Sequence, residues 1–415
     1  MSGFPGRERI VVTGLGVVSA AGLGVERFWS SVVAGRPACR INDRFDLAGS
    51  RARPAGLIED FAPETEFRWE GGPTRLEDDR LCRIAEAAIS EAIEDAGLDP
   101  EHRAETALYV SSAIGPMTTM EKVVAHTDKA PAGAWRAFSL GRLPAHLARR
   151  AGLGGAYVLV PTGCTGGCDA LGYALAALRE GAARRAVVGA FEAPVTPLVV
   201  ASFARLGATS ARDCPPEQAS CPFDIERDGF VLGEGGGALV IETESAALER
   251  GAVPLAVVSG YGSVNSGYHM TDIHCSGAPI ARSLALALAD AGLPPSTIDH
   301  VNLHGSSTPQ NDLAEANAMR ALFGPEAAVA IPVMSLKSQI GHALAAANAM
   351  ELVASVLTLR DGLIPPTANL RRPDPACGLN VVAGGPQSQP VRHLAKTASG
   401  FSGIHSALVL SRCEA

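Results

Sequence analysis

Cys164 stands in a sequence context that favours a nucleophilic role. It lies in Val-Pro-Thr-Gly-Cys-Thr-Gly-Gly, between the short apolar run 156–160 and an alanine- and leucine-rich stretch. This order predicts a strand, a tight turn and the start of a helix, with the sulfur at the turn. Backbone amides and the helix dipole at such a turn favour a thiolate, the form that attacks carbonyl carbon. The pattern indicates thiol-based acyl chemistry, whereas Cys168, one helical turn later, fits a core position.

Two downstream turns place histidines after strand-like runs. His304 ends the run 298–303 and opens the small polar turn 305–309, which leaves its ring accessible. His342 closes the segment Lys337-Ser338-Gln339-Ile340-Gly341-His342 after the apolar residues 331–336. A lone histidine is more often structural, and a lysine is by default solvated. Because Lys337 leads straight to Gly341-His342, we expect it to be buried beside His342.

The remaining charged residues near these turns have simpler explanations. Asp312 and Glu315 begin the helix predicted after His304, and charge complementarity with a helix N-terminus is sufficient reason for them. The histidines at 269, 274 and 405 lack a comparable context, so we expect them to be structural. Lysine occurs only at positions 122, 129, 337 and 396, and the other basic residues are all arginine.

Three other kinds of site fit the sequence poorly. The segment Gly14-Leu15-Gly16 after the first predicted strand lacks the third glycine of a dinucleotide fingerprint. The glycine cluster 233–237 lacks the Lys-Ser/Thr of a phosphate loop. The histidines and cysteines show no zinc-finger or metalloprotease spacing, so no metal site is predicted.

The composition bounds the class of protein. The 415 residues are 47% hydrophobic and 19% charged, enough apolar material for a large core of two packed halves. A net charge of −8 without a basic cluster argues against nucleic acid as the main ligand, although an acidic carrier protein is compatible with local arginine patches. The sequence shows no signal peptide and no run long enough to span a membrane. Nine irregularly spaced cysteines fit reduced thiols, so a cytoplasmic location is expected.

The predicted strands and helices alternate along the whole chain. This alternation favours α/β layers with mostly parallel sheets, in which residues after strands gather at a ligand site. The residues 213–222 are predicted to form an exposed loop. The predicted strands are 10–13, 106–111, 156–160, 186–190, 238–241, 255–261, 298–303 and 408–410, and the predicted helices are 81–96, 140–152, the stretch after Cys164 up to Gly181, 279–291, 313–323 and 343–360.

Taken together, the ordered motifs resemble those of the β-ketoacyl synthases, the condensing enzymes of the thiolase fold. The similarity extends over nearly the whole chain. The motifs are Val11-Val12-Thr13-Gly14-Leu15-Gly16, Thr162-Gly163-Cys164-Thr165, Pro222-Phe223-Asp224, Gly229-Phe230-Val231-Leu232-Gly233-Glu234-Gly235, His304-Gly305, Leu336-Lys337-Ser338-Gln339-Ile340-Gly341-His342, Pro365-Pro366-Thr367-Ala368-Asn369-Leu370 and Ser399-Gly400-Phe401-Ser402-Gly403.

The resemblance implies a fold and a set of site residues. The fold is two similar βαβαβ halves in five αβαβα layers, with an N-terminal half over residues 1–254 and a C-terminal half over 255–415. Cys164 would carry the acyl chain, and His304 and His342 would contact the thioester of a malonyl extender. The amides of Cys164 and Phe401 would form the oxyanion hole, with the Phe401 ring as a gate. Lys337 would be the buried family lysine, supported by Asp312, Glu315 and Glu351.

The implied reaction is acyl transfer followed by decarboxylative Claisen condensation. Substrates would arrive on the phosphopantetheine of an acyl carrier protein, and no metal or redox cofactor is implied. The motif around Cys164 looks most like the catalytic ketosynthase subunit of type II polyketide synthases, which usually pairs with a chain length factor lacking the active cysteine. The alternative is a homodimeric fatty-acid elongating synthase. A non-catalytic scaffold or a thiolase fits less well with Cys164, His304 and His342.

The chain departs from the family pattern at several positions around these motifs. Asn348 and Ala345 replace small glycines, and Ser402 and Ile404-His405 alter the glycine-rich C-terminal motif. Ser306 stands where fatty-acid enzymes commonly have threonine. None of these changes removes a catalytic group. We expect Ser402 and Asn348 to affect loop gating and pocket shape, and hypothesise an unusual substrate such as a partly reduced polyene chain.

Overall fold

The computed structural model describes residues 8–46, 52–59, 61, 76–127 and 134–413. The strands within these ranges are β1 Ile10–Ser19, β2 Gly22–Leu23, β3 Cys39–Ile41, β4 Pro54–Gly56, β5 Ala107–Ser111, β6 Tyr157–Leu159, β7 Arg185–Glu192, β8 Leu232–Gly233, β9 Gly235–Thr243, β10 Ala256–Asn265, β11 His300–Asn302, β12 Pro332–Met334, β13 Leu363–Ile364, β14 Asn380–Val381, β15 Gln387–Ser388, β16 His393–Ser399 and β17 Ile404–Arg412. Lys129 lies outside the described residues.

The helices cover the faces of the sheet that these strands build. They are α1 Val25–Val33, α2 Arg80–Asp95, α3 Pro100–Ala104, α4 Met117–Ala125, α5 Arg142–Ala151, α6 Gly166–Arg179, α7 Pro197–Arg205, α8 Glu244–Glu249, α9 Ala278–Ala291, α10 Pro309–Phe323, α11 Pro325–Ala330, α12 Lys337–Ile340 and α13 Leu344–Asp361. None of the helices in the described ranges is long and apolar enough to cross a membrane.

The main sheet is built from two copies of one strand arrangement. Its order is β14-β12-β11-β16-β17-β10-β1-β9-β7-β5-β6. Five strands of the second half repeat five strands of the first in chain order and in pairing direction. The first set is β1, β5, β6, β7 and β9, and the corresponding second set is β10, β11, β12, β16 and β17. The copies meet where Val11 and Val12 of β1 pair antiparallel with Val257 and Ala256 of β10. This is the duplication that the family resemblance implies.

Helices stack on this sheet in layers. The helices α6 and α13 lie between the halves and contact strands of both, while α2 covers the outer face of the first half and α9 that of the second. Residues 344–359 of α13 are all buried. A helix buried on every side belongs in the interior of a fold rather than at its surface. The result is the five-layer αβαβα arrangement.

The expectation that the sheets are mostly parallel is wrong. Only the outer strands of each half run parallel, whereas β1, β9, β10 and β17 pair antiparallel with their neighbours. The connection between β16 and β17 is too short for anything but an antiparallel pair, since parallel strands need a crossover of a dozen or more residues. Each predicted strand and helix overlaps an observed one, but several observed elements were not predicted, among them β12, β14 and β16 of the main sheet.

The predicted exposed loop 213–222 is only partly exposed. Its residues 219–222 are buried, and the Ser220 hydroxyl donates to the carbonyl oxygen of Lys337 at 3.1 Å. This end of the loop thereby becomes part of the support around α12. A short polar and proline-rich stretch gives no sign of such burial in the sequence.

Candidate active site

Cys164 lies in a short turn between β6 and α6. The residues Gly163–Thr165 form a 3₁₀ turn, and Gly163 has a φ of 65°, which favours glycine. Gly166 is also required, since a Cβ there would lie 1.9 Å from the Ser111 hydroxyl oxygen. The half-buried Cys164 side chain therefore sits on a turn that glycines allow to press against β5. The sequence prediction of a strand, a turn and a helix around the sulfur is confirmed.

Side chains from two other elements hold this turn in place. The Asn348 amide on α13 donates to the carbonyl oxygen of Cys164. Asp169 accepts a hydrogen bond from the Thr165 hydroxyl at 2.7 Å and from the Tyr261 hydroxyl at 2.8 Å. Asn348 is thus in direct contact with the nucleophile turn.

His304 and His342 lie together, as the spacing of their motifs predicts. Their rings are 5.3 Å apart between centroids, at an angle of 79°. The Phe230 ring contacts His342 edge-on at 5.0 Å and also belongs to the apolar cluster that packs against Cys164. The amide of His342 donates to the carbonyl oxygen of Val231 at 2.7 Å, which fixes the backbone of its turn. Phe230 thereby connects the surroundings of the thiol with His342, and His342 in turn contacts His304.

Lys337 is fully buried, as expected from its place before His342. Its Nζ atom donates to the carbonyl oxygen of His304 at 2.6 Å and to Glu351 Oε1 at 2.7 Å. The ammonium group therefore connects the first histidine turn to α13. Burial lowers the pKa of Lys337, while the neighbouring Glu351 carboxylate opposes that change.

Glu315 anchors the backbone of the His304 turn. Its two oxygens accept the amides of His304 and Gly305, each at 2.7 Å. The hydroxyl of Thr397 on β16 donates to the same carboxylate at 2.6 Å and accepts from the His304 amide at 3.1 Å. The carboxylate is therefore more than a complement to a helix N-terminus, because it orients the residue that carries the imidazole.

Asp312 contacts residues other than those of the two histidine turns. Its carboxylate accepts the Phe223 amide at 2.9 Å and forms an ion pair with Arg227 at 3.5 Å. Burial raises the pKa of Asp312 to about 6, against the opposing amide of Phe223 and charge of Arg227. Among the predicted supporting residues, Asp312 thus holds the loop around residue 223, whereas Glu315 and Glu351 touch the histidine and lysine turns directly.

Phe401 follows β16 in a 3₁₀ turn, Phe401–Gly403, that lies against Cys164. Gly400 carries no side chain where a Cβ would lie 3.5 Å from the Cys164 nitrogen, so the two turns approach closely. The Phe401 ring is half-buried and lies 6.3 Å from the Phe203 ring. Ser402 adopts a left-handed φ of 67°, and its amide donates to the carbonyl oxygen of Met270 at 2.6 Å.

The electrostatics differ from the sequence expectation for the sulfur. Burial raises the pKa of the Cys164 thiol to about 11; Lys337 and the amides of Phe401 and Cys164 oppose this rise, and Glu192 adds to it. The expectation that the turn favours a resting thiolate is therefore wrong, because burial outweighs the amides. Burial, reinforced by Lys337, lowers the pKa values of His304 and His342 well below the usual range. The thiol and both imidazoles are neutral at rest.

Three site residues were missed or given no role from sequence. Thr397 and Lys396 lie on the unpredicted strand β16, and Lys396 forms a 2.9 Å ion pair with Glu351. Glu192 ends β7 fully buried, where it accepts from the Ser112 hydroxyl at 3.2 Å, and burial raises its pKa to about 8. A charged residue inside an otherwise apolar run was the available signal for both Lys396 and Glu192.

An apolar cluster packs against Cys164, and a separate cavity reaches the neighbouring Phe401. The apolar cluster includes Ala113, Ile114, Val200 and Phe230. The cavity, of about 350 Å³, reaches Phe401 from a more polar mouth that includes Thr308 and Asn311. No group of three or more His, Cys, Asp or Glu side chains in the described part of the chain is arranged to hold a metal ion.

The chain matches family models over most of its length. The β-ketoacyl synthase N-terminal domain matches residues 7–247, and the β-ketoacyl synthase C-terminal domain matches residues 255–371. The chain belongs to the β-ketoacyl synthase family. As such a synthase, it is an acyltransferase of the thiolase-like fold, and its duplicated sheet has the architecture described above.

Individual relatives favour the polyketide branch of the family over the fatty-acid alternative. The granaticin polyketide putative β-ketoacyl synthase 1 of Streptomyces violaceoruber is 39% identical, covering 98% of this chain and 99% of that protein. The 3-oxoacyl-[acyl-carrier-protein] synthase 2 of Synechocystis is 34% identical over 98% of this chain and 99% of that protein.

Solved structures agree with this assignment. A complex of a type II PKS acyl-carrier protein with its ketosynthase bound to the hexaketide contains a chain with a TM-score of 0.91 and 36% identity, covering 98% of this synthase and 100% of that chain. The ishigamide ketosynthase/chain length factor contains a chain with a TM-score of 0.88 and 33% identity, over 98% and 100% respectively.

Proposed function

We propose that this synthase extends a polyketide chain held on Cys164, using malonyl units delivered by an acyl carrier protein. The observation that carries the proposal is the meeting of three turns: the Cys164 thiol faces the Phe401 amide, Phe230 packs near Cys164 and contacts the ring of His342, and the ring of His304 lies against that of His342. Each of these groups has a task in acyl transfer and decarboxylative condensation.

The first step is transfer of an acyl chain to the thiol. Cys164 sulfur attacks the thioester carbonyl of the acyl carrier, and the thiol proton goes to the departing carrier sulfur. The amides of Cys164 and Phe401 would hold the oxygen that becomes negative. A preorganised donor of this kind is worth about 3 kcal/mol in the transition state. The apolar cluster with Ala113, Ile114 and Val200 would receive the chain.

The second step extends the chain. The malonyl thioester loses CO₂, and its bonding electrons form an enolate whose oxygen is held by the imidazoles of His304 and His342. The enolate carbon attacks the acyl carbonyl on Cys164, and the Cys164 sulfur leaves as a thiolate that then takes up a proton. Neutral imidazoles suit this task because each carries one N–H donor. Lys337, Glu315 and Glu351 hold the backbone turn that carries the His304 imidazole.

The carrier protein supplies the only prosthetic group in this scheme. The cavity of about 350 Å³ is lined by Phe401, whose turn approaches Cys164, and by Thr308 and Asn311 on its polar side. These features fit the amide-containing arm of phosphopantetheine, with Phe401 between the arm and Cys164. The arm belongs to the carrier, and in this proposal the Phe401 ring acts as the gate.

A homologous chain length factor is the proposed partner subunit. Strand β6 ends the main sheet as described, and its residue Tyr157 is 53% exposed, so its free edge can pair with a second sheet. The edge lies directly before the Cys164 turn, which would let the partner complete the acyl pocket. A second copy of this chain is the alternative occupant.

Two further expectations stay part of the proposal. The division into halves at 254/255 falls between β9 and β10, in the segment around α8. All nine cysteines lie in the described residues and are free, which supports a reducing compartment and thus a cytoplasmic location. The partly reduced polyene substrate remains a prediction.

Intact mass spectrometry tests the proposed function. The enzyme is incubated with a carrier protein that bears an acyl group, and the mass gain of the enzyme is located by peptide mapping. We expect one acyl group on Cys164, none on the Cys164→Ala variant, and an unchanged result for Cys275→Ala, which removes an exposed cysteine. Full chain extension by Cys164→Ala would overturn the proposal.

A further inference from the structure

Lys396 is a second lysine buried beside the histidines. It lies on β16 with no exposed surface, aligned with Asn302 of β11, two residues before His304. Burying an ammonium group costs several kcal/mol unless a partner compensates for the lost hydration. The partners of Lys396 therefore show what this charge contributes.

Glu351 carries one lysine on each carboxylate oxygen. Lys337 Nζ lies 2.7 Å from Oε1, and Lys396 Nζ lies 2.9 Å from Oε2. Lys396 also donates to the carbonyl oxygen of Thr397 at 2.5 Å, and the Thr397 hydroxyl binds both Glu315 and the His304 amide. Two lysines and two glutamates are thus linked around the His304 turn. We call Lys337, Lys396, Glu315 and Glu351 the charge cluster.

The charge cluster is balanced only when Lys396 is present. Without it, two carboxylates would share the single ammonium of Lys337, leaving one negative charge in a buried site. An uncompensated negative charge favours protonation of neighbouring bases. The neighbouring bases are the two imidazoles, whose pKa values both lysines lower in addition to the effect of burial.

Other titratable groups face Lys396 from the surrounding elements. Burial raises the pKa of the Cys168 thiol to about 12, and burial lowers the pKa of His405 to about 4, so both are neutral near pH 7. Asp169 is held by the hydroxyls of Thr165 and Tyr261. Within the described residues, the titratable groups around Lys396 and the two imidazoles include Lys337, Glu351, Glu315, His405, Cys168 and Asp169.

We propose that Lys396 is a positioning residue of the condensation reaction, which balances the charge cluster and so keeps the imidazoles of His304 and His342 neutral during turnover. This inference rests on the proposed function. Lys396 does not touch the substrate in this account. It acts through Glu351 and the β16 backbone on groups that do.

The pH dependence of CO₂ release from malonyl-carrier protein tests the role. Lys396→Gln removes the charge but keeps a donor for the Thr397 carbonyl. Since loss of a positive charge raises the imidazole pKa, the acidic limb of the rate profile should move to higher pH by about one unit. The rate at the acidic end should then fall about tenfold, with a smaller change at the alkaline end.

Charge restoration supplies the decisive comparison. The double variant Lys396→Gln/Glu351→Gln is again balanced, so its acidic limb should return toward the wild-type position. Glu351→Gln alone leaves excess positive charge and should move the limb to lower pH. The control Lys122→Gln neutralises another buried lysine, whose charge acts on Asp79, and should leave the limb in place.

An unmoved acidic limb in folded Lys396→Gln, or no return in the double variant, would overturn the inference. If Lys396→Gln fails to fold, Glu351→Gln supplies the test. Its acidic limb should move to lower pH, and an unmoved acidic limb in this variant would also overturn the inference. These failures differ from a failure of the proposed function, in which the wild-type enzyme itself would form no acyl adduct on Cys164.

Discussion

The nucleophile turn and the lysine–histidine turn occupy equivalent positions in the two halves. Each follows an outer parallel strand, β6 or β12, and each leads toward a middle-layer helix, α6 or α13. The first turn places a thiol against apolar residues, on glycines that allow close packing. The second places Lys337 and His342 over buried ion pairs.

The difference shows how one backbone plan supports two kinds of chemistry. An apolar surround suits a neutral acyl thioester, which must persist until the extender arrives. Buried, balanced charges suit a site where negative charge develops on an oxygen. We therefore assign acyl loading to the first turn and decarboxylation to the second, and a substitution in one turn should affect its own step more than the other.

Lys337→Met should have the largest effect, and on the second turn. It removes the donor to the His304 carbonyl and one cation from Glu351. We expect CO₂ release to fall by about a hundredfold or more, and the free energy of unfolding to fall by about 3 kcal/mol. Acyl loading of Cys164, measured by intact mass, should fall far less. An equal loss of both activities in the folded variant would erase the proposed difference between the turns.

Gly166→Ala should damage the first turn. The new Cβ would meet the Ser111 hydroxyl, which is held by its 2.6 Å hydrogen bond to the Val160 carbonyl. We expect about 2 kcal/mol of destabilisation and at least tenfold slower acyl loading. Gly141→Ala is the matched control, since a Cβ there meets nothing within 4 Å. Loading at the wild-type rate in Gly166→Ala would show that close packing of the turn is unimportant.

Glu192 makes the thiol side of the molecule sensitive to pH. Burial raises its pKa from 4.5 to about 8, so the stability it contributes is complete below about pH 4.5 and is lost as pH rises toward 8. Relative to Glu192→Gln, the wild-type enzyme should lose a few kcal/mol of unfolding free energy across that window, measured by denaturant titration. The exposed Glu94→Gln variant should follow the wild-type curve. Parallel curves for wild type and Glu192→Gln would contradict the assignment.

Ser402→Gly should give the smallest effect. Ser402 is strained because its backbone is left-handed. Glycine relieves that strain, but it also loses more chain entropy on folding. We expect a net gain of about 0.5 kcal/mol in unfolding free energy. Asn369→Gly is the control with a similar φ of 65°, but it loses two side-chain hydrogen bonds and should be destabilised. Equal destabilisation of both variants would show that Ser402 is unstrained.

The sequence predicted the site better than it predicted the sheet. Cys164, His304, Lys337, His342 and Phe401 stand in contiguous motifs whose local order survives folding, and their turns do meet in the structure. Pairing direction depends on which distant strands become neighbours, so the antiparallel centre was missed.

The charged members of the interior were harder to predict for a different reason. Lys396 interrupts the apolar pattern of β16, so the same residue concealed both its strand and its own burial. The protonated state of Cys164 was also mispredicted, since the depth of burial depends on how the other elements close around the turn.

The division of labour between the two turns is tested most directly by measuring acyl adduct and CO₂ release in parallel on two variants. Cys164→Ala should form no adduct and still release CO₂ from malonyl-carrier protein, because the histidine pair remains. His342→Ala should form the adduct and lose CO₂ release by about a hundredfold or more. If each folded variant lost both activities to the same extent, the two turns would act as one unit and the account would be contradicted.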